Sequence, residues 1–147
     1  MSCNAEDIRQ VLPHRYPYLM IDRVLEQDKE HVIAVKNVTI NEPFFQGHFP
    51  EPFQAIMPGT LILEAMAQTA AFLLGGKSEL GFLVRVDKAR FRRKVIPGDQ
   101  LILSASRLRQ RDRLLQIEAE ASVNNEIAAT ATISIIVEDK GNETKAC

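Results

Sequence analysis

From Met57 to Leu74 the chain reads as one helix, and Leu61, Ile62, Leu63, Ala65, Met66 and Ala67 put apolar side chains on nearly every face of it. Such a pattern predicts a helix buried on all sides, and the need to cover it constrains everything else in the fold. Pro58 fits the first helical position and Gly75-Gly76 the stop. The length is roughly 25 Å at the usual helical rise. Four strands are expected downstream: Gly81 to Phe91, Leu101 to Gln110, Leu114 to Val123 and Glu126 to Val137, the last two joined by a tight turn at Asn124-Asn125. Upstream, Leu19 to Leu25 and Val32 to Val38 read as strands around the polar turn Gln27 to Glu30. Asn4 caps a short helix from Ala5 to Leu12, with Glu6 and Asp7 in its first turn, and Pro13 ends it. Asn41 to Ile56 is a loop rich in Pro, Gly and Phe. The expectation is an α+β fold in which five or six mostly antiparallel strands wrap one long helix. One subunit would leave that helix partly open, so a partner subunit is expected to complete its burial.

At 147 residues the chain fits one domain, expected over 1–138, with a disordered tail from Asp139. A net charge of −1 gives no basis for bulk binding to nucleic acid or an anionic membrane. The two cysteines, Cys3 and Cys147, fall in the terminal tails, which suits a reducing, cytoplasmic setting. No basic-then-apolar leader is visible at the N-terminus. The longest apolar stretch, Leu61 to Leu74, is too short to span a bilayer and carries Glu64 and Gln68.

Those two polar residues are the first candidates for chemistry. Burying a carboxylate as an ion costs several kcal/mol, so Glu64 must be paired, solvated or protonated. Apolar surroundings favour the protonated form, which suits a general acid. The alternative is a glutamate on an exposed stripe, for which its neighbours leave little room. Gln68 lies one turn further along the same face, where it could hold the carboxyl or merely occupy a wet seam. His48, in Phe45-Gln-Gly-His-Phe-Pro50, sits in a Gly/Pro-punctuated loop. An unperturbed histidine, with a pKa of about 6.5, is the side chain poised as a base at neutral pH; the alternative is a loop histidine that only bonds backbone. His14, after Pro13, reads as structural and His31 as a solvated hairpin residue. Gly59 opens the helix after Pro58, where free N–H groups and the positive dipole end suit a carbonyl turning into an enolate. Basic residues from Lys88 to Lys94, and Arg107, Arg109, Arg111 and Arg113, alternate as on the solvated face of strands, or form a patch for an acidic partner. No ligand set with metal-binding spacing and no phosphate-binding glycine loop is present in the sequence.

Taken together, Leu12-Pro-His-Arg-Tyr-Pro17, Ile21-Asp-Arg-Val24, Gly47-His-Phe-Pro50, Met57-Pro-Gly59, Glu64-Ala-Met-Ala-Gln68, Asp87-Lys-Ala-Arg-Phe-Arg92 and Pro97-Gly-Asp99 resemble the (3R)-hydroxyacyl-acyl carrier protein dehydratases of the FabZ type, over nearly the whole chain. The resemblance implies a hotdog fold, a sheet wrapped around a long central helix. It implies a homodimer with both sites at the interface, often built further into a hexamer as a trimer of dimers. His48 then corresponds to the base and Glu64 to the acid, contributed by the other subunit. Gly59 corresponds to the donor for the thioester carbonyl, Gln68 to the helix glutamine, and Phe49 and Pro50 to the rest of the substrate-binding HFP motif. No cofactor and no metal are implied. The partner implied is acyl carrier protein, acidic and bearing its acyl chain on phosphopantetheine, with Arg90, Arg92, Arg93 and Lys94 as candidates for docking it. Glutamate at position 64 favours a dehydratase over the related dehydratase-isomerases, which carry Asp there.

One departure stands out. The family usually has Gly directly after HFP and four residues before MPG, whereas here Glu51 follows Pro50 and six residues, Glu51 to Ile56, precede Met57. The His–Glu separation, 64 − 48 = 16, is two longer than the family pattern. For the site to keep its geometry the extra residues must bulge outward. Two rival readings stand beside dehydration: a hotdog thioesterase, and a non-catalytic acyl-binding module.

Overall fold

The computed structural model describes residues 2–74 and 79–139. Helix α1 spans Ala5–Val11 and opens on a complete capping box: Asn4 accepts from the Glu6 and Asp7 amides, and Asp7 accepts from the Asn4 amide. Strands β1 (Arg23–Gln27) and β2 (His31–Asn37) follow. A 3-10 turn at Pro43–Gln46 leads to helix α2 (Gly59–Ala70), which tightens into a 3-10 turn at Ala71–Leu73. Strands β3 (Glu79–Phe91), β4 (Gln100–Arg111), β5 (Leu114–Val123) and β6 (Glu126–Asp139) complete the chain. They form one six-stranded sheet in the order β1-β2-β4-β5-β6-β3, antiparallel throughout. Asn124 and Asn125 both take left-handed conformations, φ 50° and 64°, as the two-residue hairpin between β5 and β6 demands.

The period-2 pattern decides which face meets the helix. On β5, Leu115, Ile117, Ala119, Ala121 and Val123 are buried while Glu118 and Glu120 point away. Alanines recur on the inner face, among them Ala34, Ala105, Ala119, Ala129 and Ala131, and let α2 lie close to the sheet. Register shifts at Val24/Glu26, Leu83/Arg85, Asp87/Arg90, Arg107/Arg109 and Ala121/Ser122 bend the strands around it. The 3-10 turn that follows α2 is clamped through its carbonyls: Gln27 donates to Phe72 O at 2.9 Å and Arg107 to Leu73 O at 2.6 Å. Arg107 thus caps a helix and is not one of the solvated strand cations expected from the alternation.

Helix α2 is left partly open within one chain, as expected of a single subunit: Ile62, Ala65, Met66, Gln68, Thr69 and Ala70 are buried, but Leu61, Leu63, Glu64 and Ala67 are only partly covered. Four expectations need correction. Pro58 is the N-cap and not the first helical residue; its carbonyl accepts from Leu61 and Ile62. The segment 19–22 does not join β1, because the Tyr18 carbonyl and Met20 amide are taken by Gln68 of α2. Cys3 is tied down, its backbone exchanging two bonds with Val24 at 3.0 Å. Asp139 ends β6, while the helix stop at Gly75-Gly76 and residues 140–147, Cys147 included, lie outside the described residues.

Candidate active site

His48 is held by its own loop. The 3-10 turn delivers the chain so that the His48 amide bonds Phe44 O, and the Ile56 amide bonds His48 O at 3.1 Å. The ring repeats the same link, with Nδ1 2.7 Å from Ile56 O. A carbonyl can only accept, so Nδ1 carries the hydrogen and the neutral ring presents an unprotonated Nε2. The imidazole stacks on Phe49, ring centroids 3.8 Å apart. These two bonds also resolve the lengthened loop. Closing His48 onto Ile56 ties off the residues between them, so Glu51, Pro52, Phe53 and Gln54 project into solvent, Phe53 to 70 % exposure. The lengthened loop therefore bulges outward between His48 and Ile56.

The loop is anchored from behind by a buried cation. Lys36 on β2, 4 % exposed, places Nζ 2.7 Å from Glu42 and 3.5 Å from Asp22. Glu42 caps the 3-10 turn that ends at Gln46, two residues before His48. A charge so deep in the structure is tolerable only with such partners.

His48 lines a cavity of about 430 Å³ together with Met57, Gly59, Ile62 and Phe91. Gly59 is the first residue of α2, whose opening amides have no intrahelical acceptor. A Cβ at Gly59 would lie 2.9 Å from the Phe91 ring, so a side chain there would push that half-exposed ring away from the helix start. Arg92, Arg93 and Lys94 border this cavity. Arg92 and Lys94 are exposed, whereas Arg93 is engaged with Glu126 at 2.9 Å and Asp99 at 4.0 Å. Arg90 lies in a groove on the outer face of the sheet with Lys88, Glu118 and Glu120.

Glu64 opens into a different cavity, of about 310 Å³, walled by Leu12, His14, Gln68, Leu80, Phe82 and Ile135 among others. Ile62 and Glu64 are two residues apart on one helix, about 200° around its axis, so the two cavities flank opposite sides of α2. Gln68, 1 % exposed, has its orientation fixed: Oε1 accepts from the Met20 amide at 2.8 Å, and Nε2 donates to Tyr18 O at 2.7 Å and to Glu64 Oε1 at 2.9 Å. The Glu64 carboxylate, and secondarily burial, push the Tyr18 phenol above its ordinary pKa. His14 brings Nε2 to 3.5 Å from Glu64 Oε1. Sequence reasoning set His14 aside as structural; its place in Leu12-Pro-His-Arg-Tyr-Pro17 was the signal that could have promoted it. His31, by contrast, is an exposed hairpin residue 3.5 Å from Asp28. Among the described residues no group of His, Cys, Asp and Glu is arranged to hold a metal ion. No helix among them is long and apolar enough to cross a membrane.

The class is defined by this arrangement and by comparison. Residues 12–132 match the FabA-like domain. The fold has close counterparts: a chain of the dehydratase heterocomplex ApeI:P from Xenorhabdus doucetiae superposes with a TM-score of 0.76 at 18% identity, covering 95% of each chain. A hot-dog-like protein from Thermanaerovibrio acidaminovorans gives a TM-score of 0.63 at 18% identity, over 79% of this chain and 86% of its own. The architecture is therefore a hotdog fold. In sequence, the 3-hydroxyacyl-[acyl-carrier-protein] dehydratase FabZ of Streptococcus uberis is 48% identical over 138 residues, 91% of this chain and 97% of the relative. The chain belongs to the FabZ family of 3-hydroxyacyl-[acyl-carrier-protein] dehydratases, which are hydro-lyases.

Proposed function

We propose that each active site is built by two copies of this chain, one supplying His48 and Gly59 and the other Glu64 and Gln68, within a single hotdog domain over residues 1–138. The reaction is the dehydration of 3-hydroxyacyl-acyl carrier protein in fatty acid biosynthesis. The observation that carries the two-copy reading is that His48 and Glu64 line separate cavities on opposite sides of α2 in one protomer.

The sheet edge supports the pairing. β3 is an edge strand of 13 residues whose Phe82, Leu83 and Val84 are 45 %, 48 % and 50 % exposed. A long apolar edge is a template for another strand. Two-fold antiparallel pairing about Arg85 would align positions summing to about 170, setting Leu80 to Phe82 beside the second copy's Lys88 to Arg90. Leu80 to Leu83 rim the Glu64 cavity, and Phe91 closes the His48 cavity. The pairing therefore brings each Glu64 cavity against the other copy's His48 cavity. Dimers of this kind can assemble further, as a hexamer of three dimers.

Chemistry follows from the parts. His48 Nε2 removes a proton from C2 of the (3R)-3-hydroxyacyl thioester. The charge that develops on the thioester oxygen is met by the Gly59 amide and the positive end of α2. As the electron pair forms the C2=C3 double bond, the C3–O bond breaks, and Glu64 protonates the departing hydroxyl to give water and the trans-2-enoyl thioester. The thioester supplies the acidity, so no cofactor is required. Phe49 and Pro50 shape the approach beside the base. Arg92 and Lys94, exposed at the mouth of the His48 cavity, serve to dock the acidic carrier protein whose phosphopantetheine arm enters there. The free thiol of Cys3 suits the reducing cytoplasm.

His48→Ala and Glu64→Gln should each lower turnover by about 10²–10⁴-fold while the fold is retained. The measurement is enoyl absorbance on a 3-hydroxyacyl-carrier substrate. Near-normal turnover in either folded variant would reject the assignment. Release of free thiol in place of enoyl product would indicate a thioesterase instead.

A further inference from the structure

We infer that His14 is a positioning residue for the acid: with Gln68 it engages one oxygen of the Glu64 carboxyl, leaving the other as the oxygen that carries and delivers the proton. The inference rests on the reading of Glu64 as the acid. Both contacts fall on the same atom, Gln68 Nε2 at 2.9 Å and His14 Nε2 at 3.5 Å from Glu64 Oε1. An oxygen that already accepts from Gln68 and has the His14 ring nitrogen beside it is the poorer place for the acidic hydrogen, which belongs on Oε2. That is where a general acid needs it, because the hydrogen must face the substrate hydroxyl and not the wall.

The wall itself leaves the task to these residues. The other described residues lining the Glu64 cavity from α1, β3 and β6, such as Val11, Leu80, Phe82 and Ile135, are apolar and offer the carboxyl no side-chain donor. Tyr18, whose phenol senses the Glu64 charge, stacks against the His14 ring at a centroid distance of 6.3 Å and keeps it beside the carboxyl. Gln68 is committed on three bonds and cannot follow the carboxyl if it turns. His14 is the second point that stops the turn. Its 3.5 Å separation is longer than an optimal N–H···O bond, as is common for catalytic contacts before substrate closes the site.

The test uses three substitutions in the full chain, with turnover, KM and melting temperature measured for each. His14→Leu removes the donor and should lower kcat on the order of tenfold or more while KM for carrier-bound substrate stays within about twofold. His14→Gln keeps an amide N–H near the position of Nε2 and should recover most of the lost kcat. His14→Asn, polar but too short to reach, should behave as His14→Leu, and keeps the test open if the leucine variant misfolds. A purely packing role predicts equal loss in all three, and that pattern would overturn the inference. So would an effect on KM alone, or full turnover in both His14→Leu and His14→Asn. Glu64→Gln is the control: if it stays active, the assignment of the acid fails; if it is inactive while the His14 variants are not, only the role of His14 fails.

Discussion

Chains carrying His48→Ala and chains carrying Glu64→Gln, each expected to be inactive, should restore one another once their subunits exchange. The expectation comes from the two cavities on opposite sides of α2. If a site takes its base from one copy and its acid from the other, a mixed dimer holds one site with neither group and one with both. For a mole fraction x of one variant, the fraction of intact sites is x(1 − x). At equal mixing, about a quarter of the wild-type activity returns, against a background of about 1% or less from either variant alone. The dependence on x is itself diagnostic, falling to about a tenth when one variant makes up about nine-tenths of the chains.

The mixture is best prepared by dissociating and reassociating the purified variants, with native mass spectrometry confirming mixed dimers before turnover is read. A complementary arm mixes wild type with the double variant His48→Ala/Glu64→Gln. Every mixed dimer then has two broken sites, so equal mixing should leave about a quarter of the activity of pure wild type, where unexchanged chains would leave about half. Confirmed mixed dimers without recovered turnover would refute the split site.

Two further perturbations probe what surrounds the chemistry. Lys36→Met leaves the Glu42 carboxylate, 16 % exposed, without its cation; a loss of about 3 kcal/mol is expected, lowering Tm by roughly 6–12 °C. Chemical denaturation of the double variant Lys36→Met/Glu42→Leu should recover most of that loss, and no recovery would mean that packing and not charge is responsible. Arg92→Glu with Lys94→Glu should raise KM for carrier-bound substrate, less so at high salt, and spare a small thioester analogue, while Arg93→Glu should cost stability through its bond to Glu126. Equal losses on carrier-bound and small substrates would exclude docking by Arg92 and Lys94.

Local pattern made the strands and α2 legible, because alternation and helical spacing are properties of neighbours along the chain. β5 spans Leu114–Val123, as its alternation predicts, and the paired asparagines turn the hairpin. Segment 19–22 was misread for the opposite reason. The Met20 amide within it and the Tyr18 carbonyl just before it are claimed by Gln68, 48 and 50 positions away, and no propensity for a strand can register that competition. The same holds for Phe91 above Gly59. His48 and Glu64 stood out because an imidazole in a loop and a carboxylate in an apolar helix are conspicuous wherever they occur. His14 did not, since a histidine after a proline gains meaning only when the chain folds it onto Glu64.

Helix α2 contributes to two sites at once in the split arrangement. In that proposal its first residue, Gly59, would serve the site based on its own His48, while Glu64 and Gln68 would serve the site based on the other copy's. The ends of this helix are fixed by different parts of the chain: Met57 at its start bonds the Val95 carbonyl in the β3–β4 connection, and the turn at its far end is held by Gln27 and Arg107 of the sheet. A displacement of α2 along its axis would therefore misplace the oxyanion donor of one site and the acid of the other together. Geometric tolerance at a proton-transfer site is well under 1 Å, so both sites would fail from one shift. Under the split-site proposal the Gln27 and Arg107 clamp, remote from either cavity's reacting groups, would serve catalysis as well as the stability of the helix.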